Sequence, residues 1–272
     1  MHAPLSAFTL HRPRTLEAAL QLMSRETLTP IAGCTDVYVG LHFGTMADRR
    51  FLDLWGLNEL RGIRIDRGTL RLGALTTYTE MIESSLVRKR VPMLVAASRE
   101  VGGAQIQNRG TIGGNIANAS PAGDTLPVLA AANARVVLRS ANHERRVAFN
   151  EFYTDYRASA RRSDELITAV EIPPIAGRQW WRKVGTRRAQ AISKIMMAGV
   201  RGAEVRIGIG SVAPTVITAS KTAQVLREGG TMVDAQAALA SEIRPIDDVR
   251  STGEYRLNVA QSLLARFWSE TA

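Results

Sequence analysis

The chain has 272 residues, of which 45% are hydrophobic and 22% are charged, an ordinary balance for a globular protein that excludes a disordered chain. No apolar run approaches the roughly 18 residues that a membrane span requires, and segment 1–15 lacks the pattern of a secretory signal, so we expect a cytoplasmic protein. The formal net charge is +10. Its arginines are scattered among acidic and apolar residues, which favours a solvated or partner-facing surface over a nucleic-acid groove.

Cysteine and histidine are too sparse in this sequence to predict a metal site. Cys34 is the single cysteine, which excludes an internal disulfide and an iron–sulfur cluster held by cysteines of this chain alone. The histidines lie far apart and show no metal-ligand spacing; they are His2, His11, His42 and His143.

The N-terminal segment predicts a small α/β lobe. Apolar residues recur at helical spacing over 15–24. A short apolar segment at 30–32 then runs into Gly33-Cys34-Thr35-Asp36. We interpret it as a strand that ends in a tight loop, with Asp36 placed to cap a helix that begins near Val37. A second short strand is predicted at 50–54, and this lobe ends near residue 55.

A second lobe is predicted over residues 56–172. A hairpin with a glycine-containing turn occupies 64–73. Helices are predicted at 77–84, 92–101 and 124–133, and strands at 135–139 and 166–172. Between the second and third helices, the glycine-rich run 102–115 has the character of a loop.

Pro173-Pro174 is the clearest linker, because proline removes a backbone donor and restricts the residue before it. Beyond it, residues 205–212 alternate as a strand, and helical patterns follow at 221–228, 232–240 and 255–267. This order of strand and then helices predicts a separate α+β unit over 175–272.

Gly208-Ile209-Gly210 matches a loose form of the dinucleotide fingerprint, but its context is wrong. That motif needs a strand before it and a helix directly after it. Pro214 and β-branched residues follow here and disfavour a helix. We therefore interpret this segment as a strand and not as an NAD-binding loop.

Two glycine-bearing loops, 32–36 and 111–115, carry the chemistry that the residues support. Glycines let backbone N–H groups approach an anion closely, and a helix after the first loop would add its dipole. Thr35, Thr111 and Asn115 can add side-chain hydrogen bonds. Two such loops from different lobes can grip one dinucleotide, although each alone is also compatible with a simple tight turn.

The longer run around the second loop resembles the medium, FAD-binding subunits of the xanthine dehydrogenase and carbon monoxide dehydrogenase group of molybdenum hydroxylases. The resemblance rests on VGGAQIQNRGTIGGN at 101–115 and IANASPAGD at 116–124, and it extends to DVRSTGEYR at 248–256. It implies an α+β fold. A two-lobed FAD-binding domain of the PCMH type would cover 1–172, with lobes at about 1–55 and 56–172, and a smaller α+β C-terminal domain would cover 175–272.

The same resemblance implies a non-covalently bound FAD and the residues that hold it. Residues 31–36 and 111–115 would wrap the diphosphate, and Asp124 would bond to the nucleotide portion. Val101 and Ile167 would lie against the cofactor. Lys183 would lie near the flavin and stabilise negative charge on it, although a surface salt bridge is an alternative. The whole set is Ile31, Ala32, Gly33, Cys34, Thr35, Asp36, Val101, Thr111, Ile112, Gly113, Gly114, Asn115, Asp124, Ile167 and Lys183.

Cys34 departs from the family pattern, which usually has a second glycine in the first loop. A positive φ angle would cost more at this position than it does for glycine. We predict a buried and inert thiol, whereas an exposed one would be sensitive to oxidation.

By resemblance, the chemistry is divided among subunits and no side chain of this chain is catalytic. Substrate would be hydroxylated at a molybdenum cofactor in a large subunit, and electrons would pass through two [2Fe–2S] clusters of a small subunit to FAD here. NAD, oxygen or another acceptor would then take the electrons from FAD. The resemblance also implies an assembly of two heterotrimers. The lack of cysteine clusters argues against the benzoyl-CoA-reductase branch, whose flavin subunit carries an additional cluster. Two alternatives stay open: a self-sufficient non-covalent flavin oxidoreductase, and a basic nucleic-acid-binding module without flavin.

Overall fold

A computed structural model describes residues 7–187 and 189–272 of the chain. The first six residues, which include His2, the start of the predicted first lobe and part of segment 1–15, lie outside the described residues. The helices of the described part are α1 Leu16–Arg25, α2 Val37–His42, α3 Tyr78–Glu83, α4 Ser85–Arg90, α5 Pro92–Arg99, α6 Ala104–Arg109, α7 Ile112–Asn118, α8 Leu126–Ala131, α9 Ser220–Arg227, α10 Met232–Glu242 and α11 Gly253–Glu270.

The strands of the same residues form four sheets. They are β1 Thr9–His11, β2 Thr29–Ile31, β3 Arg50–Asp53, β4 Ile63–Asp66, β5 Thr69–Gly73, β6 Arg135–Arg139, β7 Glu144–Ala148, β8 Tyr153–Asp155, β9 Ala158–Ser159, β10 Leu166–Ile172, β11 Arg178–Gly185, β12 Ser193–Arg201, β13 Val205–Gly210 and β14 Ile217–Thr218.

The first lobe is a parallel three-stranded sheet, ordered β1-β3-β2, with α1 packed beside it. The Thr15 hydroxyl caps α1 by accepting from the N–H of Ala18. One apolar face of α1 shares a core with Leu52 of β3, and its members keep the helical spacing: Leu16, Ala19, Leu20 and Met23. The predicted helix at 15–24 and the strands at 30–32 and 50–54 are confirmed to within a residue or two.

The second lobe is an antiparallel five-stranded sheet, ordered β4-β5-β10-β6-β7, covered by α3 to α8. The predicted hairpin at 64–73 is confirmed as β4 and β5. The prediction that 102–115 is a loop is wrong, because α6 and the first turn of α7 fall within it. A glycine in a helix costs roughly 1 kcal/mol. Here the fully buried Ile112 and Ile116 and the Thr111 cap offset that cost.

The C-terminal part is an antiparallel sheet, ordered β11-β12-β13-β14, followed by α9, α10 and α11. The predicted strand at 205–212 and the three helices are confirmed. Strands β11 and β12 were not predicted. Strand β12 is buried on both faces, since Ala198 and Val200 lie in the core of the second lobe while Ile195 and Met197 lie in the C-terminal core. A strand that is buried on both faces lacks the alternation of apolar and polar residues by which a strand is recognised in a sequence.

Strand β13 explains the glycine pair at 208 and 210. Helix α8 lies so close to it that a Cβ on Gly208 would stand 2.2 Å from the Pro127 carbonyl oxygen. The interpretation of this segment as a strand is confirmed. The core of the second lobe also includes Trp181, so packing crosses the Pro173-Pro174 segment, and the domain boundary there stays a prediction.

Candidate functional site

A cleft of about 460 Å³ is lined by residues of both lobes. Most of the predicted cofactor residues line it: Ile31, Ala32, Gly33, Cys34, Thr35, Asp36, Thr111, Gly113, Gly114, Asn115 and Ile167. Ile112 belongs to the core beneath and is fully buried. Val101, Asp124 and Lys183 are not among the residues that line this cleft.

The first loop is packed directly on the segment that leads into the second. A Cβ on Gly33 would stand 1.7 Å from the Arg109 carbonyl oxygen. The Arg109 guanidinium in turn stacks on the Trp55 ring at 3.7 Å, with Arg61 also over that ring, at 4.6 Å. Glycine is therefore required at position 33 because two backbones meet there, and the meeting brings both predicted loops to one cleft.

Cys34 adopts a left-handed conformation with φ of 62°, as the departure from glycine suggested. Its side chain is half-buried, less than predicted, and its Sγ donates to the Ala32 carbonyl at 3.4 Å. Burial raises the pKa of the thiol, the Asp53 carboxylate raises it further, and Arg109 lowers it. The thiol therefore stays protonated at neutral pH, which agrees with an inert cysteine.

The backbone N–H groups of the first loop are available to a ligand. Among the described residues, those of Cys34, Thr35 and Asp36 have no protein acceptor. A left-handed residue within a loop turns successive N–H groups to one side and makes an anion-binding concavity. Asp36 stands at the N-cap of α2 as predicted, but its side chain makes no capping hydrogen bond, so that prediction is wrong. Its backbone is already helical, with φ −92° and ψ −30°, whereas capping residues are extended.

The second loop is different, because four of its five N–H groups, those of residues 112–115, are already satisfied within its own lobe. The Ile112 and Gly113 N–H groups donate to the carbonyls of Thr76 and Ala74, each at 2.9 Å. The Thr111 residue accepts the other two, from Gly114 at its hydroxyl at 3.0 Å and from Asn115 at its carbonyl at 2.9 Å. The expectation that this loop offers free backbone donors is therefore wrong for residues 112–115, whereas the Thr111 hydroxyl, which accepts from Gly114, keeps its own hydrogen to donate to a ligand.

The second loop contributes two features to the cleft, a glycine that leaves space for a ligand and the side-chain amide of Asn115. Gly114 is exposed, and a Cβ there would meet only the Thr111 hydroxyl, at 2.9 Å. The Asn115 Oδ1 atom accepts from the Thr125 hydroxyl at 2.7 Å, which leaves the amide Nδ2 as the donor for a ligand.

Several residues that line the cleft were missed from the sequence, and three of them carry polar groups of interest: Tyr78, Arg157 and Arg161. Burial raises the pKa of Tyr78, and Asp124 and Asp36 raise it further, so it stays a neutral phenol. Arg157 lies at the turn of the short hairpin β8–β9, and Arg161 follows strand β9. No fixed spacing relates them to the glycine loops, so the sequence carries no signal that could have found them.

Asp124 and Lys183 form a separate buried cluster. The Lys183 ammonium lies 2.9 Å from one Asp124 oxygen, and the Ser193 hydroxyl donates to the other at 2.5 Å. The two ionic side chains are 10% and 6% exposed, so the alternative of a surface salt bridge is wrong. Burial raises the pKa of Asp124, while Lys183 and Ser193 lower it. Val101, half-buried against the core, follows Glu100, whose carbonyl accepts from Lys183 at 3.2 Å.

The cleft fits an extended anionic dinucleotide such as FAD. Free N–H groups line one wall, and Gly114 leaves the opposite wall without a Cβ. Two guanidinium groups border the space together with the carboxylates of Asp36, Asp48 and Glu165, the last of which is bonded to Arg145. In residues 7–187 and 189–272, no group of three or more His, Cys, Asp or Glu could hold a metal ion. No helix of this described part is long and apolar enough to span a membrane.

Comparison with known proteins agrees with this site. Residues 6–175 match the family described as FAD binding domain in molybdopterin dehydrogenase, and 182–271 match the CO dehydrogenase flavoprotein C-terminal domain. The chain is 30% identical to the xanthine dehydrogenase FAD-binding subunit of Escherichia coli O157:H7, over 96% of this chain and 94% of that one. It is 28% identical to the glyceraldehyde dehydrogenase medium chain of Sulfolobus acidocaldarius, over 97% and 98%.

The solved structures extend the likeness to three dimensions. A chain of the carbon monoxide dehydrogenase from Hydrogenophaga pseudoflava superposes with a TM-score of 0.92 at 26% identity, over all of both chains. A chain of a Cu,Mo-CO dehydrogenase gives 0.89 at 27% identity over 95% of each. The chain therefore belongs to the FAD-binding medium subunits of the xanthine dehydrogenase and carbon monoxide dehydrogenase family of molybdenum hydroxylases.

Proposed function

We propose that this chain is the FAD-carrying subunit of a xanthine dehydrogenase-like molybdenum hydroxylase. It would take electrons from [2Fe–2S] clusters of a small partner subunit and pass them through FAD to NAD or another acceptor. A large subunit would carry the molybdenum cofactor, in a cytoplasmic dimer of heterotrimers. The relatives' names, a xanthine dehydrogenase FAD-binding subunit and two dehydrogenase medium chains, support this division of labour.

The observation that carries the proposal is the meeting of the two glycine-bearing loops at one cleft. In the bound state, residues 31–36 would hold the diphosphate through their free N–H groups, and residues 111–115 would close on it with Gly114 and the Asn115 amide. Ile167, at 7% exposure on the cleft wall, would pack against the cofactor. FAD supplies the redox chemistry, exchanging hydride or single electrons with its donor and acceptor.

Asp124, Lys183 and Val101 would serve the cofactor from the adjoining cluster. Asp124 lies next to Thr125, which bonds Asn115, so it supports the cleft wall from behind. Lys183 also borders a second pocket of about 380 Å³, together with Glu100 and Arg187. Asp124 and Lys183 touch, at 2.9 Å, so the part of the nucleotide that Asp124 would bind and the flavin near Lys183 would both lie close to this cluster.

The first test is an absorption spectrum of the purified chain, taken before and after acid precipitation. A flavin band near about 450 nm that moves to the supernatant and chromatographs as FAD is expected for a non-covalent cofactor. If the band is absent, the folded chain is reconstituted with FAD and measured again. Failure to bind FAD at that stage would contradict the proposal, and salt-dependent DNA binding in its place would favour the nucleic-acid module.

A second test separates an electron-transfer subunit from the alternative, a self-sufficient flavin oxidoreductase. The FAD-loaded chain is mixed anaerobically with purines, aldehydes or NADH, and the flavin band is followed. We expect NADH alone to bleach the band, because only the acceptor side would lie on this chain. Bleaching by a purine or an aldehyde without partner subunits would favour the self-sufficient enzyme, and no response to NADH would remove NAD as the acceptor.

A further inference from the structure

The second lobe has to neutralise a diphosphate by some means other than its glycine loop. All four N–H groups from Ile112 to Asn115 are bonded to acceptors of the same lobe. Among the described residues of the two loops, the N–H groups of Cys34, Thr35 and Asp36 on the first loop have no acceptor, and on the second loop only that of Thr111 has none. An FAD diphosphate carries two negative charges, and burying such charges without compensation is unfavourable. The opposite wall therefore needs positive charge.

Arg157 is one cation of that wall. It lies at the turn between β8 and β9, with φ of 53°, and lines the cleft. Its Nη1 donates to the Asn118 Oδ1 atom at 3.1 Å, at the end of α7. Its Nε atom donates to the Tyr156 hydroxyl at 3.4 Å, and its charge lowers the pKa of Asp36 against the larger effect of burial. Among the described residues, however, no carboxylate lies within 4.0 Å of the Arg157 guanidinium group. A guanidinium group has five N–H donors, so most of them are free for a ligand.

Arg161 is the second cation, and it is half-buried. Its Nη1 donates to two backbone carbonyls, those of Glu165 at 2.8 Å and Arg162 at 3.1 Å. The nearby Glu165 carboxylate is already taken, because Arg145 holds it through two hydrogen bonds of 2.6 and 2.8 Å. Within the described part of the chain, Arg161 thus also lacks a carboxylate partner within 4.0 Å. Burial lowers the pKa of Arg161, while the Glu165 and Asp164 carboxylates, both farther than 4.0 Å, raise it.

We propose that Arg157 and Arg161 are the cations with which the second lobe binds the FAD diphosphate, an inference that rests on the proposed function. The Asn118 amide and the two carbonyls orient the guanidinium planes and leave the remaining donors for phosphate oxygens. The cleft then binds the diphosphate from two sides by different means. The first lobe contributes neutral N–H groups, and the second contributes charged side chains.

The test compares FAD binding by the wild-type chain with that of Arg157→Gln, Arg161→Gln and the double variant. Dissociation constants come from flavin fluorescence at several salt concentrations. We expect each single variant to bind FAD at least about tenfold more weakly, since charge-assisted hydrogen bonds are lost. The salt dependence of the dissociation constant should flatten in the double variant, because fewer charges remain to be screened. Arg157→Lys should recover part of the affinity.

The matched control is Arg64→Gln, which removes one positive charge from the exposed edge of β4, outside the cleft. It should bind FAD as the wild type does, which separates a local contact from a change in net charge. Unfolding midpoints confirm that the variants are folded. If a folded double variant keeps wild-type affinity and salt dependence, the inference is wrong while the proposed function stands. If the wild-type chain itself does not bind FAD, the proposed function fails instead.

Discussion

At the residue scale, the first loop places a strained residue where it serves binding. Cys34 is left-handed, a conformation that costs an L-residue with a Cβ roughly 1–2 kcal/mol. The same conformation turns the N–H groups around it to one side, and those of Cys34 and Thr35 have no acceptor among the described residues. Strain of this kind persists at ligand sites because the surrounding structure imposes it. Gly33, pressed on Arg109, supplies that constraint.

Cys34→Gly should stabilise the folded chain by about 1 kcal/mol, because glycine adopts positive φ without a Cβ penalty. Part of this gain is lost to the greater freedom of glycine in the unfolded state. Urea unfolding monitored by tryptophan fluorescence measures the difference. Cys34→Val is the control, since its branched side chain is worse than cysteine at positive φ. A glycine variant less stable than the wild type would show that the thiol contact with Ala32 outweighs the strain.

The glycines of the two loops should respond differently to a side chain. Gly114→Val should lower FAD affinity and leave folding nearly intact, because its Cβ would enter the cleft and meet only the Thr111 hydroxyl. Gly33→Ala should lower the free energy of unfolding, since its Cβ would collide with the Arg109 carbonyl at 1.7 Å. Thermal unfolding and FAD titration separate the two effects. Wild-type FAD affinity in folded Gly114→Val protein would remove Gly114 from the site.

At the element scale, the sequence predicted what local patterns determine. Helix α1 has a cap and one apolar stripe, and the hairpin β4–β5 has a glycine turn, so both were found. Strand β12 was missed because both of its faces are buried and its apolar residues do not alternate. Helix α7 was taken for a loop because two glycines lie in its first turn, and its cap and buried isoleucines become visible only in the fold.

For the site as well, the sequence predicted the residues that follow a local pattern and missed those that only the fold brings together. Glycine loops have a sequence signature, so the residues of 31–36 and 111–115 were found and most line one cleft. Arg157 and Arg161 come to that cleft through the placement of hairpin β8–β9 in three dimensions. The occupied N–H groups of α7 also depend on tertiary partners, the carbonyls of Ala74 and Thr76. Neither feature can be predicted from the local spacing of residues in the sequence.

The pairing of Arg145 on β7 with Glu165 before β10 makes a pH-dependent contribution to stability. Glu165 is 5% exposed. Burial raises its pKa, but hydrogen bonds from the Arg145 guanidinium and the Arg162 N–H outweigh burial, so its pKa lies below the ordinary 4.5. A lowered pKa means that the contribution is present above the ordinary value and is lost as the pH falls through the folded value.

Glu165→Gln should therefore destabilise the chain by about 1–3 kcal/mol at neutral pH, the usual result of removing a charged hydrogen-bond partner. The difference from wild type should shrink as the pH falls below 4.5. Urea unfolding at a series of pH values measures it. Glu83→Gln is the comparison, on an exposed end of α3. A difference that stays constant down to low pH would mean that the Glu165 charge does not stabilise the fold.

At the scale of the whole molecule, the FAD-binding and C-terminal domains share packed surfaces. Strand β12 contributes to the cores on both of its sides. The Trp181 indole N–H donates to the Asp124 carbonyl at 3.3 Å, and Lys183 and Ser193 bind the Asp124 carboxylate. Asp124, which lies between α7 and α8, is thus held by side chains of strands β11 and β12. We expect the packing of α8 on β13 to set the position of Asp124 and, through the Thr125–Asn115 hydrogen bond, that of Asn115 at the cleft.

Gly208 is the point at which this packing is most sensitive. Gly208→Val would drive a side chain into the Pro127 carbonyl, 2.2 Å from the first added carbon, and push α8 off the C-terminal sheet. We expect a loss of about 1–3 kcal/mol or more of unfolding free energy, the usual cost of overpacking. Faster proteolysis near Pro173-Pro174 and weaker FAD binding should follow, because α8 carries the 123–125 turn that bonds Asn115. Urea unfolding, timed digestion and FAD titration test these three effects.

The matched control is Gly56→Val, at a glycine whose Cβ would meet nothing within 4 Å. It places the same side chain on the same chain without an obstruction, so its stability and FAD affinity should stay close to those of the wild type. If Gly208→Val lowers stability but leaves FAD affinity unchanged, the C-terminal sheet supports the fold without setting the cleft. If neither quantity changes, the close approach of α8 to Gly208 supports neither the fold nor the cleft.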